Sequence, residues 1–172
     1  MIKTCSALVL LLMAAAPGLA AEPNWQPVLT DVLKGEKPDG LCGVVVNHDT
    51  GCVFADLGER GVYCSGAGAG KFAPLSEQAA AGADSKFVQA LKEGKGARHV
   101  RVRGKDARHV FELTRAGIVE STDGGATWSE PVALPKQLKD TGGVTWIEYD
   151  PKHDILYVMQ PGGDLYKLER RK

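Results

Sequence analysis

The chain has no excess of charge of either sign: 21 Lys and Arg stand against 21 Asp and Glu in 172 residues. Zero net charge argues against a protein built to grip a phosphate backbone, so nucleic acid is not an expected partner. Aromatic residues make up only 6%, and no apolar run reaches the about twenty residues that a membrane-spanning helix needs. Cysteine is scarce, with 4 in the chain, and the spacing C-x-x-C does not occur. That excludes the common zinc and haem-attachment patterns. A phosphate-cradling loop is lacking too, because Gly66-Ala67-Gly68-Ala69-Gly70 leads towards a strand-like segment and not a helix. No cofactor and no metal site are therefore expected. What the chain does have is 44% apolar and 24% charged residues, the balance of a folded globular protein. Its 21 glycines signal many tight turns and favour β structure.

The first residues have the order of an export signal. Lys3 supplies a positive charge, Ala7 to Ala16 an apolar stretch of about ten residues, and Leu19-Ala20-Ala21 a small-residue cleavage region. Residues 1–20 are expected to be removed, leaving 21–172 as a single domain that is secreted or periplasmic and has no membrane span. Cys5 would leave with the signal. Cys42, Cys52 and Cys64 would then meet an oxidising compartment, where one pair is a candidate disulfide and the odd thiol stays single or bridges two chains. The alternative is that all three serve as small buried hydrophobes.

The segment Ser121-Thr122-Asp123-Gly124-Gly125-Ala126-Thr127-Trp128 reads S-x-D-x-G-x-T-W. An Asp in a tight loop accepts backbone N–H bonds from the residues after it. Gly125 permits positive φ, and Thr127 and Trp128 are expected to open the next strand. Through Ser121, Asp123, Gly125, Thr127 and Trp128 the segment resembles the Asp-box of the bacterial-neuraminidase (BNR) repeat. That resemblance implies a sialidase-like β-propeller made of four-stranded blades, with the box between the third and fourth strands and away from any catalytic centre.

The layout recurs along the chain. His109 to Leu113 and Gly117 to Ser121 read as two strands before the box, and Cys52 to Ala55 and Gly61 to Ser65 repeat them earlier. Ser65 to Phe72 is a worn box with Ala67 in the Asp position. Ile155 to Val158 and Asp164 to Leu168 form a third pair. Inner strands precede each pair at Val44 to Val46, His99 to Arg103 and Val144 to Tyr149. Pro-containing outer strands follow the first two pairs, where a missing N–H costs no ladder bond. The expected fold is all-β, with about three four-stranded propeller-type blades near 43–75, 99–132 and 143–169. An outer strand at 24–29 would complete the last blade of its own or a partner chain. One short helix, from about Ser85 to Glu93 and closed by Gly94, is expected in the long link. Three blades fall short of the usual four to eight, so a homodimer closing one ring is expected.

A sialidase of this kind would need an arginine triad, a nucleophilic Tyr with a Glu partner and an acid/base Asp. The Phe/Tyr-Arg-Ile/Leu-Pro signature of the first arginine is absent. Tyr157 and Tyr166 lie in middle strands, and Asp49, Asp56, Asp150 and Asp154 lie in turns where Asp is common anyway. The expected function is therefore a non-catalytic binding or scaffolding module, with a degenerate glycoside hydrolase as the alternative. Alternation puts His99, Arg101 and Arg103 on one strand face. Arg101, Arg103, Trp146 and Tyr149 are the candidate ligand contacts, for a carbohydrate or an acidic protein. Against this stand a solvated strand face for the arginines and core packing for the two aromatics.

Overall fold

The computed structural model describes residues 22–34, 41–76, 85–96, 98–139 and 145–170. The expected export signal lies outside the described residues, as does Val144 at the start of the third inner strand. The first sheet runs in the order β2 (Gly43–Val46), β3 (Cys52–Asp56), β4 (Val62–Ala67) and β5 (Phe72–Pro74). The second has β6 (Arg101–Arg103), β7 (Val110–Leu113) and β8 (Ile118–Ser121). The third has β9 (Trp146–Asp150), β10 (Ile155–Met159) and β11 (Leu165–Glu169), with β1 (Gln26–Pro27) on its outer edge. All the pairings are antiparallel, so the protein is all-β with sheets of 4, 4 and 3 strands. Strand β1 pairs within its own chain, Gln26 opposite Lys167 and Pro27 opposite Tyr166.

Strand β10 explains how the sheets stack. Its five residues are all buried, because successive side chains point to opposite faces. Ile155, Tyr157 and Met159 join Val44, Val46, Val53 and Ala55 in a core against the first sheet. Leu156 and Val158 join Val102, Phe111 and Ile118 in a core against the second. The third sheet is thus the middle layer. Burying each large aliphatic side chain contributes about 1.5–3 kcal/mol, so these two cores supply most of the driving force. The far face of the first sheet is covered by α2 (Ser85–Lys92), following α1 (Thr30–Leu33), through Val88 and Leu91 packed on Phe54. Helix α2 stops where Gly94 takes φ 68°. There the Gly94 and Lys95 amides donate to the Leu91 and Ala90 carbonyls at 2.9 and 2.8 Å, the paired bonds of a glycine C-cap. A last short helix, α3, covers Lys136–Lys139.

The second sheet departs from the four-strand expectation. Residues 128–132 contribute a bridge between Ile118 and Val132 and a single bond from the Ser129 amide to the Glu120 carbonyl at 2.8 Å, short of a continuous strand. The ladder fails for two local reasons. The Glu120 amide donates to the Ser129 hydroxyl at 3.0 Å instead of to a carbonyl, and Pro131 has no N–H. No disulfide joins Cys42, Cys52 and Cys64. Cys52 and Cys64 instead fill apolar space under α2 beside Phe54, as small hydrophobes do.

Tyr157 is fully buried, and its hydroxyl has no hydrogen-bond partner among the described residues. Burial, with Asp150 and Glu169 nearby, raises its pKa. Removing an unsatisfied buried hydroxyl relieves a desolvation cost. Tyr157→Phe is therefore expected to leave stability unchanged or raise it by about 1 kcal/mol in urea denaturation. A loss of that size would reveal a partner for the hydroxyl.

Candidate functional site

Four places concentrate polar chemistry, and the first is the turn after β8. Asp123 Oδ1 accepts the Ala126 and Thr127 amides, each at 2.9 Å. Its Oδ2 accepts the Thr127 hydroxyl at 2.6 Å, and the Ser121 hydroxyl donates to Oδ1 at 2.8 Å. The Thr127 and Ser121 bonds hold the Asp123 carboxyl far below its ordinary pKa. Gly125 has φ 98°, donates its N–H to Ser121 Oγ at 2.8 Å, and has Trp128 against it where a side chain would sit. The carboxylate is committed to holding its own loop. Thr127 and Trp128 do not open a strand: they remain in the turn, and Trp128 stays 38% exposed.

The second is where the three inner strands meet. Strand β9 touches both β2 and β6. Glu148 on β9 lies 3.9 Å from His48 Nε2 and 3.7 Å from His99 Nδ1, ion-pair separations longer than hydrogen bonds. The carboxylate side chain is 13% exposed, the imidazoles 47% and 55%. Glu148 therefore links the third sheet to a residue beside each of the other two. Burial pushes the Glu148 carboxyl up, but the two imidazoles and the Tyr149 amide outweigh it and hold its pKa below the usual range. In return the carboxylate raises His48 and His99 against their own partial burial. Arg98 sits over the Trp146 ring at 5.6 Å beside this junction.

The third is an interior network between the second and third sheets. The Tyr149 hydroxyl donates to Asp154 Oδ1 at 2.8 Å. Arg170 reaches both Asp154, at 3.5 Å, and Glu120. His109 Nε2 lies 2.6 Å from Glu120 Oε1, and its Nδ1 accepts the Lys105 amide at 3.0 Å. Since Nδ1 is an acceptor, Nε2 carries the proton that Glu120 receives. Burial, then the Asp154 bond, raises the Tyr149 pKa.

The fourth is the outer face of the second sheet. Val102 packs inward while Arg101 and Arg103 on either side are exposed. Arg101 lies 3.4 Å from Glu112 and 5.7 Å above the Trp128 ring. Opposite Arg103 in the ladder is the apolar Val110.

Of the candidate ligand contacts, the structure brings together only Arg101 and Arg103. Trp146 is half-buried against the core shared with the first sheet. Tyr149 is fully buried and bonded to Asp154, so it is corrected from ligand contact to core residue: alternation along β9 points it at Phe111, not at solvent. Sequence reasoning missed Glu148 and the Arg170 network. The signal for Glu148 was an acid two residues from Trp146 on the same face of an apolar strand. Arg170 and Glu120 lie 50 residues apart, and no local pattern links them. No protein-family model, curated protein or solved structure matches the chain.

The inner junction generates a pH dependence. Raised imidazoles contribute stability fully below their unfolded pKa of 6.5 and lose it as pH rises through the folded value. The depressed carboxyl contributes above 4.5 and loses its share as pH falls through its lower folded value. Stability from this cluster thus peaks between those limits. Urea melts from about pH 5.5 to about pH 8.5 are expected to fall by about 1 kcal/mol or less, given the solvent screening. Glu148→Gln should flatten that slope, and a variant that keeps the wild-type slope would remove His48 and His99 as its source.

Proposed function

We propose that the chain is an exported, non-catalytic binding or scaffolding module of the Asp-box, sialidase-like propeller kind. Its ligand is anionic, an acidic carbohydrate or acidic protein surface, held on the outer face of the second sheet. The observation that carries this reading is the Arg101-Val102-Arg103 strand, which buries its valine and turns both guanidiniums to solvent. Arginine forks suit carboxylate and sulfate groups, which they hold in paired hydrogen bonds.

The disposition of the acids supports binding over hydrolysis. Paired-carboxylate catalysis needs two acids facing one scissile bond. Asp123 serves its turn, Asp154 and Glu120 serve Arg170 and its neighbours, and Asp150 is fully buried with His153 at 2.6 Å. In this reading two chains complete one ring. Strand exchange is not needed, because β1 pairs within its own chain.

Arg101→Glu combined with Arg103→Glu is expected to weaken binding to a heparin column or immobilised polyglutamate about tenfold or more, with unchanged melting. Equal retention of wild type and variant would overturn the assignment of this face. Turnover of a fluorogenic sialoside that Glu148→Gln abolishes would overturn the non-catalytic reading. The processed chain should show a molar mass of about two copies by light scattering, and a clean monomer would sink the ring.

A further inference from the structure

A second surface lies on the other side of the molecule, between the outer edges of the first and third sheets. It begins with how the chain leaves β1. Leu29 and Leu33 drop into the core between those sheets, and the single turn of α1 between them leaves Asp31 exposed and Val32 half-buried. Val28, Val32, Tyr63 and Phe72 pack on that core while staying only partly buried. They floor two adjoining cavities of about 530 and 430 Å³, which share Asp31, Val32 and Phe72 and so form one trench. Strand β5 walls one side and β1 the other.

The charge of the rim differs from the neutral whole. Among the described residues, Lys34, Arg60, Lys71 and Lys167 line the trench against a single acid, Asp31. Lys167 is already held by Glu169 at 2.8 Å. Arg60 is anchored by donating to the Val32 carbonyl at 3.3 Å, which fixes its guanidinium at the rim. Lys34 and Lys71 are exposed and have no carboxylate partner among the described residues. An apolar, aromatic floor between exposed cations matches a ligand that carries carboxylates around an apolar anchor. Both walls carry proline, Pro27 in β1 and Pro74 in β5, and proline cannot donate to an added ladder. The ligand is therefore held by its side chains and not as an extra strand.

We infer that this trench docks an acidic peptide segment of a partner protein, with an aromatic or aliphatic side chain seated on Tyr63 and Phe72 and carboxylates on Lys34, Arg60 and Lys71. The site is distinct from the Arg101 and Arg103 face, which lies beyond the third sheet.

The test is selection of a random peptide display library on the full chain. The expected winners carry Asp or Glu flanking Phe, Trp, Leu or Ile. Synthetic versions should bind Lys34→Glu with Lys71→Glu at least about tenfold more weakly, and bind Arg101→Glu with Arg103→Glu as they bind wild type. Both double variants alter exposed side chains, and their melting curves report whether the fold is kept. Should the trench variant melt early, protection of Tyr63 and Phe72 resonances in wild type on titrating the peptide decides the matter. Peptides without acids, peptides indifferent to the trench charges, or a library that enriches nothing would each overturn the inference.

Discussion

The whole arrangement depends on β10 being buried on both faces. A strand with one wet face tolerates error on that side, but Ile155–Met159 serves two cores at once. A one-residue slip would send Tyr157 to the second sheet and Val158 to the first, exchanging a large aromatic for a small aliphatic in both. The register is held from either side: Tyr157 stands opposite Glu148 on β9 and Lys167 on β11. Strand β1 then caps β11, so the middle sheet is finished by the first described strand of the chain. That pairing joins the two ends of the described chain, a long-range contact of the kind that slows folding.

The more buried ionic groups lie where sheets meet. Glu148 lies between residues flanking the other two inner strands, and Arg170 ties the turn before β10 to β8. A buried charge left alone is costly, and each of these acids is partnered more than once. Such clusters fix how one sheet is oriented on another, which apolar contacts alone define poorly. Asp154 shows the local side of this. It takes φ 58° in the turn before β10 while bonding Tyr149 and Arg170, so its strained backbone is held in place by a network that spans two sheets.

Strand positions were legible in the sequence because each is short, apolar and bounded by turn residues. The α2 helix was legible because Gly94 marks its end. The missing fourth strand of the second sheet was not legible. Trp128 to Val132 has a strand's composition, and the competition of the Ser129 hydroxyl for the Glu120 amide, with the missing N–H of Pro131, interrupts the ladder. Tyr149 was misplaced for a related reason. By sequence alone Tyr149 is a ligand contact on an inner strand, whereas β9 is flanked by packed sheets and its alternation turns Tyr149 onto Phe111. Order of stacking is the least legible feature. Nothing in the spacing of the units says that the last one lies between the first two, since that follows from which faces are apolar in three dimensions.

This stacking order has a functional consequence. With the third sheet enclosed and the first covered by α2, two basic surfaces stand out among the described residues: the outer face of the second sheet and the trench beside β1 and β5. Both are basic, although the chain as a whole is neutral. Part of the compensating acid is drawn inward, at Asp150, Asp154, Glu120 and Glu148, where it holds sheets and turns together. Sequestering acids in structural pairs leaves a positive exterior without raising net charge, and local field, not net charge, sets what a surface attracts at short range. A neutral composition is thus compatible with two basic surfaces on one chain, the places where the anionic partners proposed above would bind.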